Sequence, residues 1–153
     1  MDVYARLKEL NLTLPNLPPK AAGINIPVKK VGNCLYVSGQ TSAKDGVPVY
    51  VGKIGSERTL EEGVEAARLC TLNALMRLHH FLGDLNKIKS VIKTLGFVQS
   101  ADGFTQQPEV INGSSAMLRD IWGEEKVVGT RSAIGVNELP RGVSVEIEFI
   151  FEI

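Results

Sequence analysis

The C-terminal stretch TRSAIGVNELPRGVSVEIEFIFEI (130–153) carries charged residues inside two apolar, strand-like runs. Arg131 stands at the start of the first run, and Glu146 and Glu148 stand inside the second. A guanidinium group can bind a carboxylate through two parallel hydrogen bonds, and a nearby glutamate can transfer a proton or position a water. The residue types therefore permit a pocket that binds a small carboxylate and performs acid–base chemistry on it.

The alternation of side chains along a strand predicts which face of a sheet these charges occupy. If the two runs form a hairpin about residues 139–142, Val136 faces Val145 and the apolar sets coincide. In this register, the outer face of the hairpin carries the charged and the smallest residues, which are Arg131, Ala133, Gly135, Glu146 and Glu148. The alternative to a pocket on this face is a solvated surface with cross-strand ion pairs, each worth roughly 0.2–1 kcal/mol.

The same register suggests different roles for the two glutamates, which periodicity alone does not distinguish. Glu146 lies opposite Gly135, which leaves space for a water. Glu148 lies opposite Ala133 and nearer to Arg131. Glu146 is therefore predicted to handle the water, and Glu148 to form an ion pair with the arginine.

The elements that must position these residues follow from apolar spacing, at steps of three and four in helices and of two in strands. Thr59-Leu-Glu-Glu62 is a capping box that marks the start of a long helix, and Gly83 marks its end. Pro108 suits the first turn of a later helix. In chain order, the pattern predicts a helix in 2–11, a hairpin in 28–40, a helix in 59–82, a strand in 87–99, a helix in 108–122 and the C-terminal hairpin.

Two long helices and one mixed sheet predict a two-layer α+β domain with both helices on one face and a short extra helix at the N-terminus. The length of 153 residues fits a single domain, 1–153. The other face of such a sheet must be polar or covered by another subunit. We therefore expect either a solvated face or an oligomer.

The composition of the chain indicates which kinds of partner and which cellular compartment to expect. Lys and Arg total 17 and Asp and Glu total 17, so the formal net charge is zero and a nucleic-acid partner is not expected. The two cysteines, Cys34 and Cys70, are predicted to be free thiols of a reducing compartment. The sequence shows neither a basic, then apolar leader nor a run of about 18 apolar residues. We expect a soluble, cytoplasmic protein with no membrane partner.

Six phrases of the sequence, taken in order, resemble the YjgF/RidA family, also labelled L-PSP endoribonucleases. The resemblance extends over roughly residues 25–153 and depends on the order and spacing of the phrases together. They are GNCLYVSGQ (32–40), EEGVEAARLCTLNAL (61–75), GDLNKIKSVIKTLGFV (83–98), VIN (110–112), TRSAIGVNELP (130–140) and VEIEFI (145–150).

The resemblance implies a chorismate-mutase-like fold and a homotrimer with active sites between subunits. It also implies hydrolysis of reactive enamines and imines of the 2-iminopropanoate and 2-iminobutanoate type to 2-oxo acids and ammonia. Dehydratases that use pyridoxal phosphate form these compounds from serine or threonine. An imine carbon is already electrophilic, so the hydrolysis requires no metal and no organic cofactor.

Residue by residue, the resemblance implies that Arg131 binds the substrate carboxylate and that Glu146 positions or activates the attacking water. Ser38, in the SGQ phrase, and Asn112, in the VIN phrase, are implied to line the pocket. These four positions match the family pattern.

Two further pocket positions depart from that pattern. Ala133 stands where the family often has cysteine, whose backbone carbonyl is implied in water binding in the deaminases. Asn25 stands where the deaminases have a tyrosine, so an aromatic wall is lost. Two other functions are therefore kept open, a non-catalytic binder of small carboxylates or 2-oxo acids and an endoribonuclease.

Overall fold

The computed structural model describes residues 2–20, 23–127 and 129–153. Two helices lie on one face of a mixed sheet, so the predicted two-layer α+β fold is confirmed. Among the described residues, the main sheet has five strands, in the spatial order β1 (Val28–Val31), β2 (Cys34–Thr41), β7 (Val145–Glu152), β5 (Ser90–Gln99) and β6 (Thr130–Val136). The remaining elements are the small hairpin of β3 (Ala43–Lys44) and β4 (Val47–Pro48) and the helices α1 (Val3–Glu9), α2 (Leu60–Leu82), α3 (Gln107–Trp122) and α4 (Glu124–Val127).

Local sequence signals set the ends of the long helix α2. The Thr59 hydroxyl accepts from the Glu62 amide at 3.2 Å, and the Glu62 carboxylate accepts from the Thr59 amide at 2.9 Å. Gly83 ends the helix in the left-handed region, with φ of 72°. The predicted boundaries of α2 are therefore confirmed, because each depends on residues next to it in the chain.

The predicted N-terminal helix is also confirmed and is anchored to the body of the domain. Val3 and Leu7 of α1 are buried in the main core. The Tyr4 hydroxyl accepts from the Leu85 amide at 2.9 Å and lies 2.9 Å from Nδ1 of His79. These contacts tie α1 to the end of α2 and to the single 3₁₀ turn that follows it.

Between the hairpin predicted in 28–40 and the helix α2 lies a second, short hairpin, β3–β4, that was not predicted. Its turn is Asp45-Gly46, and both residues have positive φ values, 50° and 82°. An Asp-Gly pair is favoured in such a turn because both central residues must adopt the left-handed region. The hairpin was missed although its dipeptide signal is present in the sequence.

The predicted C-terminal hairpin is wrong. Strand β6 pairs in parallel with β5, and β7 pairs antiparallel with β5 on one side and β2 on the other. The long strand β5 therefore lies between the two runs that were expected to pair. Parallel neighbours need a crossover connection, and α3 supplies it between β5 and β6.

This pairing also reverses the predicted faces of β6. Thr94 of β5 is the register partner of both Arg131 and Phe149, so Arg131 lies on the helix-covered side with the buried Phe149. Ile134 lies on the open face, where 44% of it is exposed. Arg131 and Glu146 were expected to share a face, but within one chain they lie on opposite faces of the sheet.

Every helix in the described ranges is too short or too polar to cross a membrane.

Candidate functional site

Arg131 is held at the edge of the sheet by two side chains of α3. Its Nη1 donates to Oδ1 of Asn112 at 2.7 Å and to Oγ of Ser115 at 3.1 Å. Asn112 and Ser115 are three residues apart and therefore neighbours on one helix face. The guanidinium makes no other hydrogen bond within the described ranges, so its remaining N–H groups can bind a carboxylate.

The small residues around Arg131 make room for α3 rather than for a ligand. A Cβ atom at Gly135 would lie 2.8 Å from Nε2 of Gln107, and one at Gly96 would lie 2.4 Å from Cδ1 of Ile111. Ala133, the register partner of Gly96, packs against the core. The space for a water that was predicted at Gly135 is therefore occupied by a side chain of α3.

Glu146 lies on the open face, in a site shaped by Gly39. It is half-buried, and an ideal Cβ atom at Gly39 would lie only 2.0 Å from its Oε1 atom. The carboxylate thus occupies the space that a side chain at position 39 would fill. The register of β2 against β7 shifts between Val37 and Gln40, which places Gly39 in an irregular segment beside the glutamate.

The electrostatic surroundings of Glu146 favour its protonated form. Burial of the carboxyl, followed by repulsion from Glu148, raises its pKa above the usual value of a glutamate. The predicted ion pair between Glu148 and Arg131 is wrong, because Glu148 is exposed on the open face opposite Leu95. Glu148 instead tunes the neighbouring carboxyl.

Ser38 and Asn25 lie near Glu148 rather than near Arg131. The Ser38 hydroxyl donates to the carbonyl oxygen of Ile26 at 2.6 Å, which holds the segment before β1 against β2. Asn25 and Ser38 line a depression of about 590 Å³ that also contains Tyr36 and Glu148. Both residues also line a second cavity on the other side of this segment, of about 300 Å³.

The six predicted site residues thus form two groups. Arg131, Asn112 and Ala133 lie on the helix-covered side near β6, whereas Glu146, Ser38 and Asn25 lie around β2 and β7. Strands β6 and β7 are separated by β5, a distance of about 10 Å at normal strand spacing. One chain does not bring the two groups into a single pocket.

Sequence reasoning missed two residues of these groups. Ser115 could have been found, because it lies three residues after Asn112 and so shares its helix face. Gly39 is part of the quoted SGQ phrase, but its role depends on a tertiary contact with Glu146. No cluster of three or more His, Cys, Asp or Glu side chains suited to a metal ion occurs within 2–20, 23–127 and 129–153.

Residues 4–141 match the model of a family described as "YjgF/chorismate_mutase-like, putative endoribonuclease". The chain is 36% identical over 151 residues to Protein TCP17 of Trypanosoma cruzi, across 99% of this chain and 94% of that protein. It is 40% identical to Atu1372 of Agrobacterium tumefaciens, a protein of unknown function, with a TM-score of 0.88 over 99% of this chain and 92% of the other. A crystal structure from Shewanella oneidensis, called "a putative endoribonuclease", is 28% identical, with a TM-score of 0.90 over 100% of both chains. The chain therefore belongs to the YjgF/chorismate-mutase-like family and has the α+β fold of that family.

Proposed function

We propose that this protein hydrolyses reactive 2-imino acids, of the 2-iminopropanoate and 2-iminobutanoate type, to 2-oxo acids and ammonia. The observation that supports this most is Glu146, a half-buried carboxyl of raised pKa packed against Gly39. The pKa of such a group is nearer to neutral pH than that of an ordinary glutamate, which suits general acid–base catalysis. Arg131 supplies the second requirement, a fixed guanidinium for the substrate carboxylate.

In the proposed reaction, the oxygen of a water forms a bond to the imine carbon while the Glu146 carboxylate takes one proton from that water. The imine reacts in its protonated form, so the π electrons of the C=N bond move to nitrogen and give a neutral carbinolamine. Glu146 then returns the proton to nitrogen, the C–N bond breaks and ammonia leaves, while the proton of the remaining hydroxyl passes to the Glu146 carboxylate as the C=O bond forms. Water and imine are converted to 2-oxo acid and ammonia without an oxidant or a metal.

The proposed site needs two copies of the chain, because Arg131 and Glu146 of one copy lie on opposite faces. The open face also exposes apolar side chains on β1, β2 and β6, with Val31 55%, Tyr36 46% and Ile134 44% exposed. Apolar side chains exposed on an open sheet face favour burial against another subunit. We therefore propose the homotrimer that the family resemblance implies, with the open faces packed together and the clefts between subunits completing the site.

The direct test of the function is turnover of imine generated in the assay. A dehydratase acting on serine produces 2-aminoacrylate, which tautomerises to 2-iminopropanoate and then hydrolyses spontaneously. We expect the release of ammonia to accelerate in proportion to added protein. Saturable binding of pyruvate without any acceleration would instead support the non-catalytic binder, and specific RNA cleavage without imine turnover would support an endoribonuclease.

The oligomeric state gives a separate prediction. Light scattering at micromolar concentration should give about three times the 16.6 kDa mass of the chain. Ile134→Glu, on the open face, should shift the protein towards monomer because it places a charge in the apolar interface. A monomer for the unmodified chain would contradict a site built between copies.

Arg131→Lys should weaken the binding of pyruvate, a stable product analogue, by about 10-fold or more. Lysine keeps the charge but lacks the planar fork that binds a carboxylate through two hydrogen bonds, a loss of about 1.5–3 kcal/mol. Calorimetric titration measures the change, and Arg68→Lys, on the exposed side of α2, is the matched control. Equal affinities for Arg131→Lys and the unmodified protein would show that Arg131 has only a structural role.

A further inference from the structure

A second concave site, separate from Arg131, lies between α2, the irregular part of β2 and the turn before β7. Its volume is about 300 Å³, at the lower end of the range for small-molecule pockets. Three cationic side chains line it, those of Lys20, Arg77 and Arg141. No carboxylate lines it among the described residues, and Glu146 packs against Gly39 without reaching the cavity.

The cations of this pocket lack counter-charges within the described ranges. None of Lys20, Arg77 and Arg141 takes part in an ion pair there. By contrast, Arg6 and Arg58, elsewhere on the surface, each pair with a glutamate. Three like charges around one small cavity repel one another unless an anion lies between them.

Arg77 is the most informative of the three. One of its Nη atoms donates to the carbonyl oxygen of Pro18, which fixes the guanidinium. Its Nε–H group is buried and has no hydrogen-bond partner among the described residues. Burial lowers the pKa of Arg77 below its usual value. An unpaired, desolvated guanidinium N–H is costly. Because the Nε atom is buried, an anion in the cavity would meet the Nη groups of Arg77 and stabilise the guanidinium through its charge.

Arg141 lines the same cavity from the turn before β7. Its backbone is in the left-handed region, with φ of 61°, and its Nη1 donates to the carbonyl oxygen of Gly46 at 3.0 Å. That hydrogen bond places the guanidinium beside the turn of β3–β4. The two arginines are therefore both held by main-chain carbonyls, which leaves part of each guanidinium for a ligand.

Three neutral polar side chains of the pocket are bonded to the main chain. The Ser38 hydroxyl donates to Ile26, the Gln40 amide donates to Ser38, and the Asn73 amide donates to Thr41 and Ala43. The donors left for a ligand are those of the cations and the side chains of Asn25 and Thr41. The three cations therefore favour a negatively charged ligand.

We propose that this pocket binds a small oxoanion with two negative charges, bridging Arg77 and Arg141. A dicarboxylate and a phosphate share this chemistry, because either can accept from two guanidinium groups at once. The proposal does not depend on the deaminase activity. It assigns to each chain an anion site that lies apart from the Arg131 of the same chain.

Calorimetric titration with inorganic phosphate, succinate and acetate, at matched ionic strength in potassium chloride, tests the proposal. We expect phosphate, succinate or both to bind at least about 10-fold more tightly than acetate, the gain from one further charge-assisted contact. Binding of phosphate alone would assign a phosphoryl ligand, and binding of succinate alone would assign a dicarboxylate. If neither bound more tightly than acetate, the proposal would be overturned.

The variants Arg77→Gln and Arg141→Gln should each weaken that binding about 10-fold or more. Arg68→Gln, on the same helix but outside the cavity, should leave it unchanged. Because Arg141 is exposed on a turn, its variant tests the site even if Arg77→Gln proves unstable. Binding lost in Arg131→Lys but retained in Arg141→Gln would place the anion at the other site. Dissociation of the oligomer by Arg141→Gln in the absence of anion binding would assign this arginine to a subunit contact. Either result overturns the proposal.

Discussion

Glu146→Gln should lower imine turnover at least about 100-fold, the lower part of the range for loss of one general acid–base group. Glutamine keeps the size and shape of the glutamate side chain but cannot take a proton from water. Because Glu146 contributes no ion pair within the described residues, the oligomer and the affinity for pyruvate should be unchanged. Steady-state rates with dehydratase-generated imine, measured beside light scattering, separate these effects.

The pH dependence of the unmodified enzyme should carry the signature of the same group. General base catalysis needs the ionised form, so activity should fall as the pH drops through the raised pKa of Glu146. Glu148→Gln removes one cause of that raised pKa and should move the acid limb to lower pH, with turnover at neutral pH largely retained. An acid limb unmoved by Glu148→Gln would show that another group controls it.

Thermal stability gives an independent readout of Glu146. A carboxyl whose pKa is raised by folding stabilises the folded state fully below its unfolded pKa of about 4.3, and that stabilisation is lost as pH rises through the folded pKa. Glu146→Gln never carries the charge. Its melting temperature should therefore exceed that of the unmodified protein above neutral pH and approach it in acid.

Gly39→Ala tests the placement of the Glu146 carboxylate without altering the carboxylate itself. The added methyl would lie only 2.0 Å from Oε1 of Glu146, so the glutamate must rotate away. Because Gly39 does not have a positive φ, the alanine backbone itself is unstrained. Turnover should fall while the fold is kept, whereas unchanged turnover would place the reacting water elsewhere.

The helices and the first hairpin could be predicted because their signals are local. The capping box at Thr59, the αL glycine at position 83 and the proline near the start of α3 each act within a few residues of an element boundary. The Gly32-Asn33 turn likewise joins two strands that are neighbours in the chain. In each case the residues that determine the structure lie in the element that they determine.

The partner of β6 could not be predicted in this way, because alternation defines the faces of a strand but not its neighbour. The hairpin prediction assumed that consecutive strands pair. In the structure, β5 is the better partner for both β6 and β7, since α3 allows the parallel crossover. Gly96 was the overlooked signal. A glycine inside a strand marks a close approach, here by Ile111 of α3.

The wrong pairing of β6 with β7 also made the predicted geometry of the candidate site wrong. The residue types at 131 and 146 supported the chemistry, but their relative position depended on the wrong pairing. Once β5 is placed between them, Arg131 and Glu146 occupy opposite faces. The proposed activity then requires that the two groups come from different copies of the chain.

Two inactive variants, Arg131→Ala and Glu146→Gln, should therefore recover activity when they are assembled together. In a mixed trimer, a cleft that takes its arginine from the Glu146→Gln chain and its glutamate from the Arg131→Ala chain is intact. Random assembly of equal amounts should restore about one quarter of the sites in a cyclic trimer. If both groups of a site came from one chain, no mixed assembly would contain an intact site.

The experiment requires co-expression or joint refolding, with native mass spectrometry to show that mixed oligomers form. The matched control replaces the Arg131→Ala chain by the double variant Arg131→Ala/Glu146→Gln, which assembles in the same way but supplies no glutamate. Recovery with the single variant and none with the double variant would show that each site joins two chains. If mixed oligomers formed without recovery, the two groups would have to act within one chain. Arg131 would then have to leave Asn112 and Ser115 and reach the other face around the edge strand β6.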